Sequence, residues 1–207
     1  MEGLKKRYKK LIKFNKENRI LLIFSIVSLS FFVIALLGYA IGSKYQEYAA
    51  QFISEFLQSK SYMINDDGSV NCLLLIYNNI VACVVGIITG IVPFVFNPIL
   101  SIFLNSTIIG IVIGALNTGD MPVISYILVG ILPHGIFELP AMMYSFSLGI
   151  YLCIEVTKTC LKKNKHPMKK VLLDILWSFL LVIIPLLIVA GLVEAYITPL
   201  LIAKFIS

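Results

Sequence analysis

Long apolar runs separated by short polar segments dominate the hydrophobic pattern of this chain. Five of the runs have the roughly 18 or more residues that a membrane-spanning helix requires. They predict spans at Ile20–Ile41, Val70–Val92, Ile99–Leu116, Ile136–Val156 and Val171–Tyr196. A sixth run, Val123–Leu132, is too short, since it reaches only about 15 Å across an apolar core of about 30 Å. We therefore expect an all-α polytopic membrane protein with about five transmembrane helices plus one re-entrant or broken segment around Val123–Pro140.

The polar segment 43–69, between the first two predicted spans, has a different pattern. Apolar residues recur there at helical spacing among Gln and Glu residues, namely Phe52, Ile53, Phe56 and Leu57. Such a pattern is typical of an amphipathic helix lying on a membrane or on a partner protein. The tetrapeptide Asn65–Gly68 then predicts a turn. We expect segment 43–69 to lie outside the membrane on the external side.

The composition agrees with a membrane protein. Hydrophobic residues make up 59% of the chain and charged residues 14%, against about 25% charged residues in ordinary soluble domains. This balance excludes a soluble enzyme, a secreted disulfide scaffold and a disordered tail. It leaves a basic segment, residues 1–19, followed by a single helical membrane domain, residues 20–207.

The positive charges indicate the orientation. Of the 17 Lys and Arg residues, eight lie within residues 1–19 and six within the loop 157–170. The positive-inside rule places both clusters in the cytoplasm, which requires that Val123–Leu132 does not cross the membrane fully. We expect a multi-pass protein of the cell membrane with a cytoplasmic N-terminus. The clusters suit anionic membrane lipids rather than nucleic acid.

Small residues favour close packing between the spans. Three Gly-x-x-x-Gly pairs occur, at Gly38/Gly42, Gly86/Gly90 and Gly110/Gly114. This spacing lets two helix backbones approach closely. The pairs fit a homo-oligomer, and packing within one chain explains them as well.

Ionisable residues within the apolar runs are functional candidates, because a charge in hydrocarbon costs roughly 2.5–3.5 kcal/mol on insertion scales. His134, Glu138 and Glu194 are the ones that the basic loop cannot neutralise. Since Pro133 and Pro140 flank the first two, we expect Pro133–Phe137 to be non-helical and the helix to begin near Glu138.

Helix lengths place these three residues in one layer near the outer edge of the membrane core. Asn78 and Asn79, close to the outer end of the second span, are expected in the same polar intramembrane layer. Three interpretations of this layer stay open. The side chains satisfy one another structurally; His134, Glu138 and Glu194 bind a divalent metal such as zinc in an open three-ligand site; or they relay protons or ions in a transporter.

No catalytic residue is assigned from the sequence. A Ser or Cys nucleophile has no triad partner, because the second histidine, His166, lies in the basic loop. No His-Glu-x-x-His motif is present either. A metal-dependent membrane hydrolase that uses the three layer residues therefore stays an alternative without a motif.

Several blocks resemble the stage II sporulation protein M family of small polytopic membrane proteins. The most specific is the run Leu132–Ala141, Leu-Pro-His-Gly-Ile-Phe-Glu-Leu-Pro-Ala. Tyr77-Asn78-Asn79 leads the second span, Asn105 and Gly149 follow in order, and Glu194–Pro199 is similar to the family's closing Glu-x-x-x-Thr-Pro element. The resemblance covers about residues 20–201.

This resemblance implies a membrane scaffold rather than an enzyme. The family's namesake holds two partners, the stage II sporulation proteins D and P, which remodel peptidoglycan while the forespore is engulfed. Many members occur in organisms without spores, so the sporulation role does not follow from the resemblance. It implies other membrane or envelope proteins as partners.

Overall fold

The computed structural model describes residues 2–116, 123–163 and 167–205. The tetrapeptide Asn117–Asp120, which follows the predicted third span, lies outside the described residues, as does His166 in the basic loop. Ten α-helices, α1 to α10, are found in the described part of the chain. Their bounds are Glu2–Glu17, Ile20–Lys44, Gln46–Ser59, Cys72–Ile88, Pro98–Ala115, Val123–Tyr126, Leu132–Cys160, Met168–Ser178, Ile184–Leu192 and Thr198–Phe205.

Short irregular helices join several of these elements without breaking the helical path. A 3-10 turn, Thr89–Ile91, ends α4, and a π-helical turn, Ile127–Ile131, connects α6 to α7. Two further π-helical turns, Phe179–Ile183 and Val193–Ile197, lie between α8, α9 and α10. The last three helices therefore form one long path.

The five predicted spans are confirmed. Within the described residues, five helical paths are long and apolar enough to cross a membrane: Ile20–Lys44, Cys72–Ile91, Pro98–Ala115, Ile127–Cys160 and Met168–Phe205. The fourth is the centre of the bundle, because 72% of its apolar stretch is buried, against 17% for the first. The other four paths therefore carry most of the surface that faces lipid.

The broken segment takes a different form from the one expected. Pro133–Phe137 is helical, since α7 begins at Leu132 and continues through Pro140 to Cys160. The prediction of a non-helical stretch there was wrong. Pro133 lies in the first turn of α7, where the missing backbone N–H has no helical partner in any case. The irregularity lies earlier, at the π-helical turn Ile127–Ile131, which joins α6 to α7. The helical path therefore runs from Val123 to Cys160 and contains the fourth span.

Glycines hold the first and third spans together. Gly38 and Gly42 of α2 lie against the backbone of α5, and Gly110 and Gly114 of α5 lie against the backbone of α2. The Ser43 hydroxyl donates a hydrogen bond to the Gly114 carbonyl at 3.3 Å. Two of the three Gly-x-x-x-Gly pairs are thus used within the chain.

The third glycine pair joins α4 to the central helix. Gly90 lies against the backbone of Gly149 in α7, and Gly86 lies against the side chains of Ser145 and Phe146. Gly149 also contacts the ring of Pro98 at the start of α5. All three pairs therefore explain contacts inside one chain, and homo-oligomerisation stays a prediction with no support from them.

Both basic clusters lie at one end of the bundle, which we call the basic end. Helix α1 packs against α8, whose first turn contains Lys169 and Lys170. Asn18, at the end of α1, accepts a hydrogen bond from Tyr151 near the end of α7. The two clusters share one end because the chain crosses the bundle four times between them, with no additional crossing at Val123–Leu132. We call the opposite end the outer end.

At the outer end, segment 43–69 contains the expected amphipathic helix, α3. Ala49 is its buried residue, and α3 packs against α5. The expected turn follows, with Gly68 at a φ of 80° that only glycine adopts without strain. An antiparallel β-bridge between Ile64 and Val70 closes the turn. The Ser69 hydroxyl donates a hydrogen bond to the Asp67 carboxylate, and this bond lowers the pKa of Asp67.

The contact between α2 and α5 predicts a sharp size limit at Gly110. A methyl group at this position meets the Ala35 carbonyl and the backbone of Tyr39. We expect Gly110→Ala to lower the free energy of unfolding by about 1–3 kcal/mol, the usual cost of overpacking. Thermal unfolding in detergent measures this.

Gly3→Ala is the matched control, because no heavy atom lies within 4 Å of a methyl group there. It should leave stability unchanged or raise it slightly. Equal melting temperatures for Gly110→Ala and Gly3→Ala would contradict the close contact.

Candidate functional site

The first turns of α7 position two of the predicted site residues. His134 and Glu138 are four residues apart, so they lie one above the other on the same helix face. This alignment exists only because the helix begins at Leu132 rather than near Glu138. Gly135, which follows His134, is buried.

The third residue comes from the end of the last path. Glu194 lies in the π-helical turn Val193–Ile197, between α9 and α10. A π-helical turn inserts one residue and rotates the following side chains relative to the preceding ones, and such turns are frequent at functional sites. Here it directs the Glu194 carboxylate towards the start of α7.

The three side chains form a compact cluster. A nitrogen of His134 and one carboxylate oxygen each of Glu138 and Glu194 all lie within 4.8 Å of one another. All three residues are half-buried. The Nδ1 atom of His134 is buried and has no hydrogen-bond partner among the described residues. Residues 60 positions apart are thus joined in one site that the sequence predicted as a layer.

The electrostatics of the cluster require a positive charge. Two carboxylates at this separation repel each other strongly in a medium of low dielectric constant. No Lys or Arg in the described part of the chain forms an ion pair with either of them. A proton or a bound cation is therefore needed to neutralise the pair.

The donor set fits a divalent metal ion. One imidazole nitrogen and two carboxylate oxygens match the three-ligand sites of zinc, which keep a further position open. Donors at about 2.1 Å from one ion in tetrahedral geometry lie about 3.4 Å apart. Because the three donors lie within 4.8 Å of one another, side-chain shifts of about 1 Å would close the site.

The two predicted asparagines have different surroundings. The Asn78 side chain accepts hydrogen bonds from Lys60 at 2.9 Å and from Tyr62 at 3.1 Å. Both residues lie in segment 43–69, which we call the outer segment. It also contacts Asn79 at 3.4 Å. Asn78 therefore fastens the outer segment to α4 and is not a member of the three-residue cluster.

Asn79 bonds to its neighbour on α4. Its side-chain oxygen accepts a hydrogen bond from the Asn78 amide at 3.4 Å. It is three residues after Ile76, which packs against Gly191 on the last path, three residues before Glu194. Its place in the polar layer stays a prediction.

Sequence reasoning did not assign Thr198 to the polar layer. Its hydroxyl oxygen is buried and has no hydrogen-bond partner among the described residues. Thr198 follows Glu194 by four residues, so it lies one turn farther along the same path. The signal was available, since Thr198 belongs to the closing block Glu194–Pro199.

A comparison with known families covers the residues of this cluster. The family model described as stage II sporulation protein M matches residues 21–199, which includes all three cluster residues and at least part of each of the five spans. The chain belongs to the stage II sporulation protein M family. The resemblance inferred from the run Leu132–Ala141 is therefore confirmed.

A relative from the archaeon Methanocaldococcus jannaschii is an uncharacterised protein. The two sequences are 30% identical over 112 residues, which is 54% of this chain and 62% of the relative. The chain thus matches less than two thirds of that relative's length. No solved structure matches the chain significantly.

Proximity of the two helix ends is testable by cross-linking. In a variant without native cysteines, we expect His134→Cys and Glu194→Cys to be joined by a short thiol cross-linker, because the native ligand atoms lie within 4.8 Å. A protease site inserted after Lys163 makes the result visible, since the two fragments then stay linked on a denaturing gel.

The control pair is Glu155→Cys with Glu194→Cys. Glu155 is 21 residues after His134 on α7, a rise of about 32 Å, and this pair should separate after cleavage. Separation of the His134/Glu194 pair as well would contradict the cluster.

Proposed function

We propose that this protein is a non-enzymatic membrane scaffold that binds another membrane or envelope protein at its outer end. Membership of the stage II sporulation protein M family supports this role. The observation that supports the proposal is that the outer segment is folded onto the bundle while its large apolar side chains stay exposed.

The outer segment is fixed at both of its ends. Ala49 docks α3 against the bundle, while Lys60 and Tyr62 bond to Asn78 of α4. A segment held in this way offers a preformed surface, which reduces the entropy lost when a partner binds. A loose connecting loop has no such advantage.

The composition of the exposed face of α3 favours a protein partner over lipid. Tyr48 is 75% exposed, and Phe52, at 40%, stacks on Phe56 with ring centroids 6.5 Å apart. Aromatic residues of this kind are enriched in protein interfaces. The helix carries Glu47 and Glu55 and no basic residue, so anionic headgroups do not attract it.

Site-specific photo-cross-linking tests this proposal. A photoreactive amino acid in place of Tyr48 or Phe52, in cells that make the full chain, should yield one discrete protein adduct. The same group at Leu36, a residue of α2 that is 68% exposed to the surroundings of the bundle, is the control and should yield lipid adducts. Only lipid or self adducts at Tyr48 and Phe52 would overturn the scaffold proposal.

A divalent metal ion in the outer cluster is a second candidate function. It is favoured by the convergence of His134, Glu138 and Glu194 within 4.8 Å, together with the unpartnered Nδ1 of His134. The ion would neutralise the two carboxylates and join α7 to the last path. In this arrangement it stabilises the outer end of the bundle and leaves a coordination position open.

Elemental mass spectrometry of the purified protein tests the metal site. We expect about one zinc or similar ion per chain in the wild type, and loss of that ion in His134→Ala. Glu47→Gln removes an exposed carboxylate of α3 and should keep the full metal content. No metal in the wild type after purification in zinc-containing buffer would contradict the site.

A further inference from the structure

A cavity of about 570 Å³ opens at the basic end, between α1 and α8. Five basic side chains line it, and two acidic ones, Glu17 and Asp174, face them. The basic residues are Arg7, Lys10, Lys13, Lys169 and Lys170. The cavity thus brings together cations from the two basic clusters, which are far apart in the sequence.

Helix α1 is docked firmly enough to form one wall of this cavity. Leu11 and Phe14 are 7% and 5% exposed, and the Phe14 ring meets the Tyr151 ring edge-on, with centroids 5.4 Å apart. Asn15 accepts a hydrogen bond from Tyr144 of α7 at 2.8 Å. The cations on α1 are therefore held in place before any ligand binds.

Arg7 is the most strongly positioned of these cations. Its guanidinium lies over the Trp177 ring of α8, 4.3 Å from the centroid. Stacking holds the guanidinium plane, while its N–H groups stay available at the edge. A planar fork of this kind suits the oxygens of a phosphate group.

Basic side chains outnumber acidic ones among the residues that line the cavity. Glu17 pairs with Lys13 at 3.6 Å, whereas Lys10, Lys169 and Lys170 form no ion pair with any residue in the described ranges. Like charges gathered in a half-enclosed site raise the local concentration of anions. The cavity is therefore complementary to an anionic group.

Most of the remaining lining is apolar and includes residues at the start of the last spanning path. Val171, Leu173 and Trp177 follow the basic pair on α8, at the start of the last spanning path. Trp is typical of the interface between headgroups and hydrocarbon. A ligand that matches both parts of the wall carries a phosphate at one end and hydrocarbon at the other.

We propose that this cavity binds the phosphate of an anionic phospholipid, with Arg7, Lys10 and Lys169 around the headgroup and the lipid chains directed along Leu173 and Trp177. A zwitterionic lipid fits less well, since its headgroup adds a cation to a basic site. The site is separate from the outer cluster and from the α3 surface, so it does not depend on the scaffold proposal.

Trp177 provides a local probe, because it is the single tryptophan of the chain. The full-length protein is placed in nanodiscs of phosphatidylcholine that contain brominated phosphatidylglycerol or, at the same mole fraction, brominated phosphatidylcholine. Bromine quenches tryptophan fluorescence at short range. We expect the anionic brominated lipid to quench Trp177 several-fold more strongly.

Two variants with the same total charge separate the cavity from general attraction to a basic helix. Lys10→Gln with Lys169→Gln removes cations of the cavity and should reduce the preference by about five-fold per lysine. Lys6→Gln with Lys9→Gln removes two cations of α1 that do not line it and should keep the preference. Equal losses in both variants, or equal quenching by both lipids in the wild type, would overturn the site.

A competition measurement with inorganic phosphate distinguishes a lipid ligand from a soluble phosphate. Inorganic phosphate, compared with chloride at the same ionic strength, should leave the preference for the anionic lipid unchanged. If phosphate alone abolishes the preference, the cavity is a site for a soluble phosphate group, and the lipid assignment is wrong.

Discussion

Close contact between helix backbones at glycines is the interaction on which the rest of this bundle depends. Helices in a bilayer gain little from hiding apolar side chains, because lipid is as apolar as they are. Van der Waals contact at Gly38, Gly42, Gly110 and Gly114 instead joins α2 to α5. Gly86, Gly90 and Gly149 join α4 to the central helix in the same way. With four paths fixed by these contacts, the fifth completes the bundle and brings Glu194 to the start of α7.

This packing creates a polar cluster that no single helix contains. Glu138 and Glu194 repel each other when both are ionised, and they lie within 4.8 Å of one another because the helices that carry them are held by other contacts. Contacts elsewhere in the bundle therefore stabilise this arrangement. A bound cation, as proposed above, would instead link α7 to the last path.

The two ends of the bundle differ in charge and in the ligands they suit. The basic end gathers cations from α1 and α8 around one cavity, whereas the exposed face of α3 at the outer end is aromatic and carries two glutamates. The candidate metal site formed by His134, Glu138 and Glu194 lies near that outer end. The three proposed sites, for lipid, cation and protein, are thus built from different helices of one chain of 207 residues.

The sequence by itself determined the number of spans and the shared end of the two basic clusters, and it named His134, Glu138 and Glu194 as members of one predicted layer. Span length and charge placement are properties of local composition, so Ile20–Lys44 or Pro98–Ala115 could be read directly. The family membership was also available, in the run Leu132–Ala141. The helical state of Pro133–Phe137 was not, because a proline fits either a break or a first turn and the surrounding packing selects between them. Only the tertiary structure decided which glycines meet and that Glu194 reaches His134, since both depend on how distant helices lie against each other.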